Sequence, residues 1–152
     1  MMDEPAAGPL TDGFGRRIDY LRVSVTDRCD LRCSYCLPKD FKGFETPANW
    51  LRHDEMARLV GLFVRLGVSK VRLTGGEPLL RRGVAGLARD IAAMPGLGDL
   101  SVSTNGTQLV RHADDLRAAG VTRLNISLDT LDAAAFNQIT GRDCLDSVLA
   151  GL

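Results

Sequence analysis

YLRVSVTDRCDLRCSYC, residues 20 to 36, joins two different signals. In its first half Val23 and Val25 alternate with Arg22, Ser24 and Thr26, the period of a β-strand with one apolar and one polar face. In its second half Cys29, Cys33 and Cys36 fall within eight positions, although the chain has one other cysteine, Cys144. The strand reading extends over residues 20 to 27, so the cysteines follow it at once.

The same alternation recurs downstream. KVRLT (70 to 74), LSVST (100 to 104) and RLNISLD (123 to 129) place Val71, Leu73, Leu100, Val102, Leu124, Ile126 and Leu128 on one face. Arg72, Thr74, Ser101, Ser103, Asn125, Ser127 and Asp129 fall on the other. Between the strands lie helical patterns. Met56, Leu59, Val60 and Phe63 recur at i, i+3, i+4 and i+7, which predicts a helix over 52 to 66 stopped by Gly67. Val84, Leu87, Ala88 and Ile91 predict a second that ends before Pro95-Gly96, and a third ends near Gly120. Residues 133 to 152 read as helical with a break at Gly141. GVSKVRLT from Gly67 and GVTRLNIS from Gly120 are an internal echo of one helix-to-strand unit. Strands alternating with helices predict an α/β fold of parallel βα repeats with right-handed connections.

A parallel sheet covered on both faces reads as continuous apolar runs, and these strands do not. Helices on one side only, with a polar inner face, predict a part-barrel whose concavity holds a ligand at the C-terminal strand ends; a plain solvated sheet face is the competing reading. The cysteine loop belongs at that rim.

Composition sets the outer limits. At 152 residues the chain can bury about two thirds of its unfolded surface in one domain. Nineteen basic residues balance nineteen acidic ones, so no nucleic acid or membrane partner is indicated. Residues 1 to 13 read as a disordered tail, leaving 14 to 152 as the folded unit. No apolar run approaches the ~20 residues of a membrane span, and a cytoplasmic location is expected, where thiols stay reduced.

Three thiols cannot all pair as disulfides. From spacing they suit an iron-sulfur cube with one iron free of protein ligands, or a zinc site that recruits Cys144 or His53 as the fourth ligand. His53 and His112 otherwise read as solvated helix residues, and Cys144 as a small core residue.

Cys-x3-Cys-x2-Cys with Tyr35 before the last cysteine, followed by TGGEP at 74 to 78, resembles the radical S-adenosylmethionine (SAM) superfamily. FGRRIDYLRVSVTDRCDLRCSYCLP, KVRLTGGEPLLR, STNGTQL and LNISLDTLDAAAFNQITGRD resemble, more narrowly, the molybdenum cofactor biosynthesis protein A family, the GTP 3',8-cyclases. The likeness runs from about Phe14 to the end. It implies a partial TIM barrel, of which about four βα units are present. It also implies conversion of GTP to (8S)-3',8-cyclo-7,8-dihydroguanosine 5'-triphosphate in molybdopterin synthesis, a lyase reaction that cyclic pyranopterin monophosphate synthase follows.

By the resemblance Cys29, Cys33 and Cys36 hold a [4Fe-4S] cluster. The amino and carboxylate groups of SAM chelate the free iron, and an electron from the cluster cleaves SAM to a 5'-deoxyadenosyl radical. Tyr35, Gly76 and Ser127 map to SAM contacts, Gly75-Gly76 being expected to let backbone approach the ligand without a Cβ. Arg22, Arg72 and Ser103 map to GTP contacts, which suits guanidinium forks meeting phosphate or base oxygens. The alternative for the arginines is a salt bridge to Asp129 or Glu77. Ser103 stands for the family's usual Thr, Asp30 for Asn and Leu37 for Met.

Family members run well beyond residue 152. The likeness therefore implies that this stretch lacks the remaining strands, further SAM and GTP contacts and the second [4Fe-4S] cluster, and alone would at most cleave SAM without forming cyclised nucleotide. The implied partners are GTP, an electron donor, and a second copy or the missing C-terminal half docked on the open fourth strand. Two other readings stand beside it: a non-enzymatic fragment that binds a metal or cluster, and another radical SAM enzyme such as a peptide modifier.

Overall fold

The computed structural model describes residues 8–38, 40–41, 43–44 and 49–152. Four parallel strands, β1 (Tyr20–Ser24), β2 (Lys70–Thr74), β3 (Asp99–Thr104) and β4 (Arg123–Ile126), form one sheet in the order β1-β2-β3-β4. Helix α1 (His53–Arg65) joins β1 to β2, α2 (Val84–Ala92) joins β2 to β3, and α3 (Leu109–Ala118) joins β3 to β4. A short 3-10 turn, Pro78–Leu80, precedes α2, and α4 (Ala133–Thr140) and α5 (Leu145–Leu149) follow the last strand. Among the described residues no helix is long and apolar enough to cross a membrane.

The alternation decides the layering. Val71, Leu73, Leu100 and Val102 are buried against Val60, Val84, Leu87 and Ile91 of the helices, which pack in sequence as α1 on α2 and α2 on α3. Burial of each such side chain contributes roughly 1.5–3 kcal/mol. On the other face Arg22 and Asn125 are exposed and Arg72 and Ser103 half-buried. Two residues there depart from expectation. Ser101 is fully buried because Arg72 lies over it, with Arg72 Nε donating to Ser101 Oγ at 3.3 Å. Thr26 is buried as well, because the chain leaves β1 after Ser24 and folds inward.

The element ends also differ from the sequence pattern. The ladder outlasts β1 and β4 by one bond each, from Val25 N–H to Thr74 O (2.8 Å) and from Ser127 N–H to Thr104 O (2.9 Å), and then both chains turn away. Ser127 and Asp129 are therefore loop residues past β4. In α1 the buried stripe is Met56, Val60 and Val64, while Leu59 is exposed. The predicted break at Gly141 is present as a left-handed cap (φ 68°) that ends α4. Of the predicted tail, residues 1–7 lie outside the described residues. Leu10 is held, its N–H on Leu66 O at 3.1 Å and its carbonyl accepting from Ile18 N–H at 2.8 Å.

Candidate functional site

All four strands run the same way, so the loops after β1, β2, β3 and β4 gather at one end of the sheet. There Cys29, Cys33 and Cys36 line a single cavity of about 380 Å³ together with Thr26, Gly75 and Gly76. Cys29 and Cys33 are half-buried, and burial pushes both thiols above their usual 9.0; Cys36 is exposed. The loop turns tightly, with Cys36 N–H on Cys33 O at 2.9 Å. It is pinned to the end of α4 by Arg32 N–H to Thr140 O (2.7 Å) and Ser34 N–H to Ile139 O (2.9 Å). The Arg32 guanidinium donates to Cys29 O and Leu31 O at 2.7 and 2.8 Å and stacks 5.2 Å from the Phe44 ring centroid. Backbone and cation contacts thus hold three thiols around one space.

Among the described residues no three His, Cys, Asp or Glu side chains converge on one ion. A cube makes no such demand, since each thiolate takes a different iron and the sulfurs need only surround a shared cavity. The cysteine trio fits that requirement. The two residues considered as a fourth zinc ligand lie elsewhere. Cys144 caps α5, lines a separate cavity with Asp30 and Arg142, and packs beside Phe136, Leu145 and Val148. His53 accepts from Arg81 Nε at 3.1 Å, so it is not simply solvated; burial, then the Arg81 charge, lowers its pKa. His112 is half-buried on α3.

The Gly-Gly pair has a steric reason beyond the one expected. Gly75 has φ 154°, and a Cβ there would lie 3.1 Å from Thr26 N and nearer still to Thr26 O. On Gly76 it would sit 2.6 Å from the carbonyl carbon of Arg28 and nearer to the oxygens of Asp27 and Arg28. The space a side chain would fill is occupied by the backbone of residues 26 to 28. Gly76 N–H to Thr26 O (2.8 Å) and Glu77 N–H to Arg28 O (2.7 Å) clamp the two loops together. The Gly-Gly turn sets the height of the cysteine loop.

Glu77, next in the chain, enters the sequence reading only as a possible partner for the arginines. It is fully buried, with Oε1 accepting from Leu79 N–H (3.0 Å) and Thr104 Oγ1 (2.8 Å) and Oε2 from Asn105 N–H (2.7 Å). This carboxylate ties the end of β2 to the end of β3. A second carboxylate ties β3 to the cysteine loop, for Asp30 accepts from Asn105 Nδ2 (2.9 Å), Thr107 Oγ1 (2.6 Å) and Gln108 Nε2 (3.2 Å). Burial would raise the Asp30 pKa, but these three donors prevail and it is lowered. At Glu77 burial prevails over the donors and the pKa rises above 4.5.

A raised folded pKa means that the folded state binds the proton more tightly than the unfolded chain. The Glu77 contribution to stability is thus complete below 4.5 and declines as pH rises through the folded value. The expected result is a difference in slope. Between about pH 4 and 6 the urea midpoint of wild type should fall relative to that of Glu77→Gln as pH rises, although the Glu77→Gln protein is the less stable throughout because its amide faces N–H donors. Parallel midpoints across that range would contradict this origin of the shift.

The polar face holds the other predicted residues. Arg22 and Arg72 are register partners on β1 and β2, and among the described residues neither forms an ion pair. The alternative salt bridges do not form among the described residues: Glu77 is engaged as above, and Asp129 accepts the Tyr35 hydroxyl at 2.7 Å. Arg72 lies 5.6 Å from the Tyr20 ring centroid. Arg22 is exposed. Ser103 is half-buried on β3 opposite Asn125, and Ser127 is exposed. Tyr35 is exposed and reaches from the cysteine loop to the end of β4, where Asp129, as the main cause, raises its pKa. The structure therefore brings Cys29, Cys33, Cys36 and Gly76 to one cavity and sets Arg22, Arg72 and Ser103 on the adjoining sheet face.

Comparison with known proteins agrees with this arrangement. The Radical SAM superfamily model matches residues 23–152. GTP 3',8-cyclase 1 of Pseudomonas aeruginosa is 55% identical over 141 residues, 93% of this chain and 43% of that protein. The GTP 3',8-cyclase of Erythrobacter litoralis is 53% identical over 97% of this chain and 45% of its own length. The chain thus spans less than half the length of these curated relatives. Among solved structures, SuiB of Streptococcus suis bound to S-adenosylmethionine superposes with a TM-score of 0.71 at 20% identity, covering 87% of this chain and 30% of that one. That likeness speaks to the fold alone.

Proposed function

Because the chain belongs to the radical SAM superfamily, we propose that it is the cluster- and SAM-binding portion of a GTP 3',8-cyclase, acting in molybdenum cofactor biosynthesis. Cys29, Cys33 and Cys36 would hold a [4Fe-4S] cluster, which when bound supplies the electron for reductive cleavage of SAM. The protein's own residues then have three tasks. Backbone at the loop ends receives SAM: Gly76 N–H is already bonded to Thr26 O, which leaves its carbonyl to meet an amine. Tyr35, steadied by Asp129, offers an exposed ring to the adenosine, and the exposed Ser127, just past β4, would be a further SAM contact. The helix-free sheet face receives GTP, so that the ribose lies close to the reactive carbon and away from water.

The observation that carries the GTP reading is the Arg22–Arg72 register pair. Like charges placed opposite each other on neighbouring strands repel and are destabilising. These two stand side by side without a carboxylate, an arrangement that an anion between them would relieve. Ser103 on the same face adds a hydroxyl. A phosphate or a purine oxygen suits the guanidinium forks, and the identity with GTP 3',8-cyclases supports the nucleotide.

Two measurements test this. After anaerobic reconstitution and reduction with dithionite, the chain should convert SAM to 5'-deoxyadenosine and methionine, and it should bind GTP in equilibrium dialysis. Arg22→Ala or Arg72→Ala should keep the iron and sulfide content and lose roughly tenfold or more in GTP affinity, since a charge-assisted hydrogen bond contributes about 1.5–3 kcal/mol. SAM left intact by a loaded, reduced protein would remove the radical SAM reading. GTP binding unchanged in both variants would remove the substrate.

A further inference from the structure

We infer that Asn105 is a positioning residue for the cluster site: its side-chain amide, held by Asp30, donates to the Cys29 sulfur and raises the reduction potential of a cluster ligated there. This rests on the reading of Cys29 as a cluster ligand. Asn105 opens the loop after β3. Its Nδ2 lies 2.9 Å from Asp30 Oδ1 and 3.7 Å from Cys29 Sγ, within reach of the larger sulfur atom.

The orientation of that amide is determined on all sides. Asn105 Oδ1 accepts from Thr107 N–H at 3.0 Å, so turning the amide over would set NH2 against a backbone donor and an oxygen against a carboxylate. Its own N–H is bonded to Glu77 Oε2 at 2.7 Å, which fixes the main chain. Asp30, in turn, is held by Thr107 Oγ1 at 2.6 Å and Gln108 Nε2 at 3.2 Å. The amide protons therefore point at the carboxylate and at the sulfur. The sulfur's second donor, Leu31 N–H at 3.4 Å, belongs to the cysteine loop itself.

Hydrogen bonds to the sulfurs are among the factors that set a cluster's potential. A donor stabilises the more negative, reduced state and so raises the potential. A carboxylate in the same network opposes the added electron and lowers it. The two members of this pair must then act in opposite directions, which a purely structural role for either would not produce.

The test is a dithionite titration of the full chain after anaerobic reconstitution, one electron passing from dithionite to each cluster, followed by visible absorbance and electron paramagnetic resonance. Asn105→Ser keeps a short acceptor for the Thr107 N–H turn and removes the donor to sulfur. It should lower the potential, and a tenfold change in the reduction equilibrium would be read as ~59 mV for one electron. Asp30→Asn removes the charge at the same volume and should raise it. Potentials unchanged, or shifted in the same direction, in variants that keep their clusters would overturn the inference. So would loss of the cluster from Asn105→Ser under conditions in which wild type keeps it, because the amide would then be a scaffold. A wild-type chain that takes up no iron would instead bring down the reading of Cys29.

Discussion

Cys33→Ala should reduce cluster uptake from about four irons per chain to near none, while Cys144→Ala should leave it unchanged. Cys33 sits at the tight turn of the loop, its carbonyl bonded to Cys36 N–H, and its thiol faces the cavity shared with Cys29 and Cys36. Removing it leaves two thiolates for a cube that needs three, and the described residues offer no replacement near by. Cys144 lines a different cavity, together with Asp30 and Arg142. Iron and sulfide analysis after anaerobic reconstitution reads the result, together with the brown, oxygen-sensitive absorbance of the wild type. A Cys33→Ala protein with full iron, or a colourless wild type that carries zinc, would show that the trio does not hold a cluster. Because the three thiols share one function, the effect should be close to all-or-none.

Gly76→Ala and Gly75→Ala should each destabilise by about 3 kcal/mol or more. At both positions the added Cβ meets backbone of residues 26 to 28, which no rotamer change can move aside. Gly75 adds a φ of 154°, where L-residues are rarely found. Relief would require the β2 loop and the cysteine loop to separate, breaking Gly76 N–H to Thr26 O and Glu77 N–H to Arg28 O. The cluster should be lost with the fold. Gly86 provides the contrast, since it lies within α2 and an added methyl there would have nothing within 4 Å, so Gly86→Ala should stabilise by about 0.5–1 kcal/mol. Urea unfolding of the three variants, with circular dichroism as the readout, checks the order. A Gly76→Ala protein with the wild-type midpoint would mean that the two loops are not packed against each other.

Much of this was legible without coordinates because it is local. Val23 and Val71 against Arg22 and Arg72 assign the faces of two strands through a two-residue period, and Gly141 marks the break between α4 and α5. Element ends were less legible. Ser127 and Asp129 continue the alternation of β4, but a strand ends where its neighbour stops offering partners, and β3 ends at Thr104. The spacing of Cys29, Cys33 and Cys36 likewise singles out a candidate ligand trio wherever the chain goes.

By itself, then, the sequence determined the layering of the sheet and the identity of the thiol trio, since both depend on residues a few positions apart. Tertiary structure decided what surrounds the trio. Glu77 meets Thr104 across 27 residues, Asn105 meets Asp30 across 75, and Tyr35 meets Asp129 across 94. It also decided that Gly75 and Gly76 make room for the backbone of a neighbouring loop. Such partners leave no periodic trace, because hydrogen bonding and steric exclusion act on atoms brought together by the folded sheet, and their separation along the chain has no bearing on the energy.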